Sequence, residues 1–262
     1  MDFTIGQIIL TALDFAPTGS LACNGQSVAI SSQPVLYDVI GTTYGGDGST
    51  FRLPNIPPVR TTTGATLNWI IVTEGAPYAS GMEALLSEVR LFAAPPPSGS
   101  TLAQSWMPCD GRLLSIDQNE PLFSLIGTTF GGDGVKTFAL PILPLTLVSQ
   151  GPAIPSWICT EGTFPQLGGD SRTPAPSDFY YDFYLGAVLQ LALQTLTSEL
   201  SALGLCLGQT IPIDQSWLPL FSLLATRYGG NRTSNYVLPS IQMSFGTINY
   251  AIVTNGLFPS RS

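Results

Sequence analysis

One stretch occurs three times in the 262-residue chain, and nothing else constrains the fold as strongly. Residues 36–54 read LYDVIGTTYGGDGSTFRLP, residues 122–141 read LFSLIGTTFGGDGVKTFALP, and residues 220–239 read LFSLLATRYGGNRTSNYVLP. Each copy is a short apolar helix, a glycine hinge and a strand stopped by proline. Self-similarity of this kind means a tandem array, here with units of roughly 80 to 95 residues. The expected divisions are 1–81, 82–168, a proline- and aromatic-rich linker 169–183, and 184–262. A unit that small hides only about 60 to 65 percent of its unfolded surface, so the copies are expected to pack on one another or on other chains.

Within the first copy, Ile8 and Leu10 sit among neighbours that are themselves mostly apolar, which reads as a strand buried on both faces. SLACNG is a second strand ending at Gly25, and QSVAIS follows. Ser31 is the expected cap of a helix that has Pro34 in its first turn and Leu36, Val39 and Ile40 on one apolar face. Gly45, Gly46, Asp47 and Gly48 then reverse the chain, Phe51 and Leu53 begin another strand, and Leu67 to Thr73 is the last. The second copy repeats this order, with SEVRLF in place of IGQIIL and Asp117 in place of Ser31. Residues 93–99, with three consecutive prolines, form a looser turn there. The third copy keeps the order with Asp214 as its cap, but its hinge has Asn231 where the others have Asp47 and Asp133.

Composition agrees with many short strands and turns. The chain has 27 Gly and 22 Pro, 44% hydrophobic and only 10% charged residues. Charged residues usually make up about a quarter of a globular chain, so much of this surface is uncharged. The expected class is mainly β with short helices, the three repeats standing in a pseudo-threefold arrangement. A net charge of -8 with nine scattered basic residues provides no footprint for a phosphate backbone, and nucleic acid is not an expected partner. No apolar run is long enough to span a bilayer, and the N-terminus has no basic segment before a long apolar one. We therefore expect no membrane insertion and an extracellular or particle-associated location without a recognisable signal peptide.

The order of an apolar strand, Cys followed by Asn or Asp and Gly, then LF, the IGTT(Y/F)GGDG hinge and a Phe before LP resembles the phage tail collar domain. In the first two repeats the resemblance covers about 50 residues each; in the third it is weaker. The closing INYAIVTNGLFPSR is similar to the C-terminus of the bacterial branch called microcystin-dependent proteins. The resemblance implies a structural, adhesive role in a trimeric receptor-engaging fibre, with no enzymatic activity attached to the collar. Members are typically short proteins with one collar. Three collars in one chain would reproduce within a single polypeptide what a homotrimer builds from three.

Candidate chemistry is sparse. The chain has no His, which removes the commonest general base and metal ligand near neutral pH. Asp47 and Asp133 occupy equivalent places in separate repeats, as do Glu74 and Glu161, so the sequence brings no acid/base pair together. No catalytic, metal or cofactor site is expected. The hinge turns Gly45, Gly46, Asp47; Gly131, Gly132, Asp133; and Gly229, Gly230, Asn231 read as tight reversals. A phosphate loop would need a helix after the glycines rather than before them, and one Asp with a few carbonyls is thin for calcium. Cys23, Cys109 and Cys206 each lie two residues before a glycine, an address that reads as a buried free thiol, with disulfide or interchain bonding as the alternative; Cys159 has no counterpart. Trp69, Trp106 and Trp157 are expected in packing, with stacking on a sugar ring as the other reading.

The aromatics Phe179, Tyr180, Tyr181, Phe183 and Tyr184 form a candidate interface, since five in six positions cannot all enter one small core. The expected function is a self-associating, non-enzymatic subunit of an extracellular fibre, filament or phage-tail-like appendage. Its partners are copies of itself, with a cell-surface glycan or receptor as a further partner. The alternative is a receptor- or carbohydrate-binding module at the tip of a tail fibre.

Overall fold

The computed structural model describes residues 4–75, 84–164, 184–192, 203–241, 248–254 and 256–260. The first repeat contains strands β1 (Gln7–Thr11), β2 (Ser20–Ala22) and β3 (Ser27–Ala29), helix α1 (Pro34–Ile40), and strands β4 (Thr50–Arg52), β5 (Val59–Arg60) and β6 (Thr66–Val72). The second contains β7 (Glu88–Phe92), α2 (Thr101–Ser105), β8 (Trp106–Pro108), β9 (Leu113–Ser115), α3 (Glu120–Ile126), β10 (Thr137–Ala139) and β11 (Ser156–Cys159). The third contains β12 (Ala187–Leu191), β13 (Leu203–Leu205), β14 (Thr210–Pro212), α4 (Leu218–Leu224), β15 (Asn235–Val237) and β16 (Asn249–Val253). The chain is mainly β, with short helices.

In every repeat the last strand lies between the first and the second, antiparallel to both: β6 between β1 and β2, β11 between β7 and β8, β16 between β12 and β13. The other edge of each first strand is shared between the two remaining first strands. Gln7 and Ile8 pair with Phe92 and Leu91, Leu10 and Thr11 pair with Val188 and Ala187, and Gln190 and Leu191 pair with Val89 and Glu88. Numbered from one to five along each strand, position one meets five and two meets four in all three ladders. The first strands therefore form a closed pinwheel with pseudo-threefold symmetry. The flanking backbone bonds repeat it, with Ala93 N–H donating to Gly6, Ala12 to Gly186 and Ala192 to Ser87.

This register aligns Gly6, Ser87 and Gly186, so SEVRLF corresponds to GQIILT, one residue later than the motif match suggests. All three residues have positive φ, at 86°, 72° and 86°. A strand that is apolar on both faces carries no alternation to fix its register, and all five β1 residues are buried. The left-handed turn before the strand is what identifies the equivalence.

One continuous core runs through the three repeats, including Ile9 and Leu10 from the first, Val89 and Ile158 from the second, and Val188 and Ile252 from the third. Such sharing offsets the marginal size of each unit. A second cluster joins Leu36, Ile40, Tyr44 and Phe51 of the first repeat to Leu91 and Ile154 of the second.

The helix starts differ from the expectation. The residues before α1, α3 and α4 are Gln33, Asn119 and Trp217, and none caps its helix with a side-chain bond. Ser31 and Asp117 do not cap the helices. Asp214 instead accepts from Ser216 N and Trp217 N at 2.9 and 3.2 Å, holding the turn that leads into α4. A proline in the first turn of these three helices already removes one orphan N–H and fixes φ. Helix α2 is an addition within the looser turn region of the second repeat, where Ser100 Oγ accepts from Ala103 N at 3.1 Å.

Candidate functional site

The three hinges are built alike. One side-chain oxygen gathers the N–H groups of the turn that follows: Asp47 Oδ1 accepts from Ser49 N and Thr50 N, Asp133 Oδ1 from Val135, Lys136 and Thr137, and Asn231 Oδ1 from Thr233, Ser234 and Asn235. Donation by backbone N–H groups favours the ionised carboxylate and holds Asp47 and Asp133 down to about 2. One oxygen of each carboxylate, Oδ1, thus serves the backbone. Asn231 makes the same turn without a charge.

The second glycine of each hinge is required by space. A Cβ on Gly46 would stand 2.5 Å from Thr50 O, one on Gly132 2.5 Å from Phe138 Cα, and one on Gly230 2.6 Å from Asn235 O. The aromatic residue just before the glycines crosses to a neighbouring repeat. Tyr44 Oη donates to Ala93 O at 2.6 Å, and Tyr228 Oη donates to Ala12 O at 2.7 Å. The hinge thus positions a clamp between repeats, a role that the motif alone did not reveal. Phe130 occupies the place in the second repeat and lacks the hydroxyl.

A buried charged network lies on the pinwheel. Arg90, at the middle position of β7, donates to both carboxylate oxygens of Glu88 at 2.6 and 2.9 Å and to Gln7 Oε1 at 3.2 Å. Leu85 N–H also donates to Glu88, and the Arg90 guanidinium sits 5.0 Å from the Trp106 ring centroid. The equivalent middle residues of the other first strands are Ile9 and Leu189. The missed signal is a Glu and an Arg two residues apart among the apolar residues of one strand, each of which demands a partner when buried.

Trp106 is buried edge-on to Phe92, while Trp69 and Trp157 are partly exposed. All four cysteines are buried and free, and burial pushes the thiols up, Cys159 to about 12. Of the aromatic candidates, Tyr184 is buried and bridges to Leu257; Phe179, Tyr180, Tyr181 and Phe183 lie outside the described residues. Several large apolar side chains remain exposed, among them Ile142, Leu145 and Leu147 of one loop at 76%, 56% and 73%. Among the described residues no group of three His, Cys, Asp or Glu side chains could hold a metal ion. None of the described helices is long and apolar enough to cross a membrane.

A pinwheel of three β blocks joined by hinge clamps defines a structural body. Residues 6–57 and 87–144 match the family model of the Phage Tail Collar Domain, a structural family of the phage tail. The two segments run from β1 past the hinge in the first repeat and from the turn before β7 past the hinge in the second. No curated protein and no solved structure matches the chain.

Proposed function

We propose that this chain is a structural subunit that associates with copies of itself into a fibre, filament or phage-tail-like appendage, outside the cell or on a particle. The observation that carries the reading is the exposed loop with Ile142, Leu145 and Leu147, on a collar-like body whose own core is already closed. Clustered apolar side chains of this size mark contact surfaces more often than bare solvent faces. The third repeat is counted as a third collar because its β12, β13 and β16 occupy the same places in the pinwheel. The reading includes Phe179, Tyr180, Tyr181 and Phe183 among the joining residues, on their composition. Joining unlike surfaces gives an open filament, since such contacts need not close.

Electron microscopy of the native protein at several concentrations tests this. Regular filaments are expected, and the double variant Ile142→Ser/Leu147→Ser should shorten or abolish them while the unfolding curve stays in place. Discrete single bodies at every concentration would reject the reading.

A further inference from the structure

A cleft of about 340 Å³ opens beside Trp69 in the first repeat. Its wall combines two aromatic rings, Phe15 and Trp69, with Asp14, Asn24, Asn55 and Asn68. Trp69 and Asn68 lie next to each other on β6, opposite Leu10 and Thr11, while Asn24 and Asn55 face each other as a bridge pair. Two of the amides are oriented by the fold. Asn24 Oδ1 accepts from Gln26 N at 3.1 Å, which leaves its NH2 group as donor, and Asn68 Nδ2 donates to Leu13 O at 3.2 Å, which leaves its carbonyl as acceptor.

The other repeats provide an internal comparison, because the backbone around the cleft recurs in them. Where β6 has Trp69 opposite Leu10, β11 has Ser156 opposite Leu91 and β16 has Tyr250 opposite Gln190. Where the first repeat pairs Asn24 with Asn55, the second pairs Asp110 with Ile142 and the third pairs Leu207 with Ser240. The same ladder therefore closes without a tryptophan and without facing asparagines. Phe15 and Trp69 pack against the core on one side and stay partly exposed on the other.

We infer that the Trp69 cleft binds a neutral hexopyranose unit of a surface polysaccharide. A pyranose ring has one face of C–H groups, which suits the partly exposed aromatic wall, and a rim of hydroxyls that each donate and accept. Fixed amides offering a donor on one side and an acceptor on the other match that rim. The volume falls within the usual range for small-ligand clefts. No Lys or Arg lines the cleft, and Asp14 stands in its wall, so an acidic sugar has no counter-charge. None of residues 142–147 lines the cleft, and this inference does not depend on self-association.

The test is an NMR titration of the full chain with methyl α-glucopyranoside, methyl α-mannopyranoside, methyl β-galactopyranoside and methyl β-N-acetylglucosaminide. At least one should shift the indole N–H of Trp69, assigned with Trp69→Phe, at millimolar concentration, while those of Trp106, Trp157 and Trp217 stay put. Glucuronic acid should not. The variant Asn24→Ala/Asn55→Ala changes two exposed side chains and should weaken binding about tenfold or more, while stability falls only by the lost Asn24–Gln26 bond, about 1 kcal/mol. No Trp69 shift with any of the four glycosides, or binding unchanged in the asparagine variant, would overturn the inference. Assembly seen by microscopy is unaffected in either case, so failure here leaves the filament reading to its own test.

Discussion

Breaking the Glu88–Arg90 pair should cost far more than replacing it. Glu88 is 1% exposed, and Arg90 supplies two of its three hydrogen-bond donors. In Arg90→Ile the carboxylate would keep only the Leu85 N–H, a penalty of about 3–5 kcal/mol for a charge left buried without its partner. At roughly 2–4 °C per kcal/mol for a chain of this size, melting should fall by about 6 to 20 °C. Glu88→Gln removes the counter-charge of the guanidinium instead and should cost about 3 kcal/mol. The double variant Glu88→Gln/Arg90→Ile restores the pattern found in the first repeat, where Gln7 and Ile9 stand at these two places, and should cost no more than about 2 kcal/mol. Contacts of Arg90 with Gln7 and Trp106 are lost in both the single and the double variant, so they cancel in the cycle. Urea unfolding of the four proteins gives the coupling directly. Costs that add within about 0.5 kcal/mol would refute the buried-pair argument.

Three other outcomes follow from the turns. Ser87 and Ala225 stand where the other repeats have Gly6 and Gly186, and Gly41 and Gly127; both have positive φ, and Ser87 Oγ is buried with no hydrogen-bond partner among the described residues. Ser87→Gly and Ala225→Gly should each stabilise by about 1 kcal/mol in thermal or urea unfolding. Gly132→Ala should destabilise by about 2 kcal/mol or more, because its Cβ would meet backbone at 2.5 Å, whereas Gly48→Ala meets nothing within 4 Å and should cost less. The hinge carboxylates are held at about 2 against an ordinary 3.8, so their stabilisation is present above the ordinary value and is lost as pH falls through about 2. The double variant Asp47→Asn/Asp133→Asn should therefore lose less stability than the parent between pH 5 and 2, as read from unfolding midpoints.

The repeated hinge was the most legible part of the sequence because its geometry leaves little choice. Gly46, Gly132 and Gly230 are fixed by backbone approach, and Asp47, Asp133 and Asn231 by the N–H groups they collect. The short helices were legible from Leu36 and Ile40, which are buried one turn apart. Their starts were misread because Ser31 and Asp117 look like caps, while a proline in the first turn makes a side-chain cap unnecessary. The clamp made by Tyr44 and Tyr228 was hidden, since the motif places a Tyr without saying which carbonyl it reaches. The Trp69 cleft was half legible: the sequence offers Trp69 for packing or for stacking on a sugar ring, but Asn24 and Asn55 come beside it only after the chain has folded back.

Covalent linkage gives this pinwheel a freedom that a homotrimer lacks. In a symmetric trimer, whatever stands at the middle of the first strand appears three times around the axis. An Arg90–Glu88 pair would then bring three guanidiniums and three carboxylates into one dry region, each ion costing several kcal/mol to desolvate. Here the pair occurs once, and Ile9 and Leu189 complete the ring of middle positions with apolar packing. The same argument extends outward. The ladder registers and hinge turns recur in all three repeats because the fold depends on them, while positions it leaves open have diverged singly. The second repeat carries the apolar 142–147 loop and the first carries the Trp69 cleft. Two different contacts can then be held in fixed relation on one body, and only a chain with non-identical repeats can do this without also repeating each contact three times.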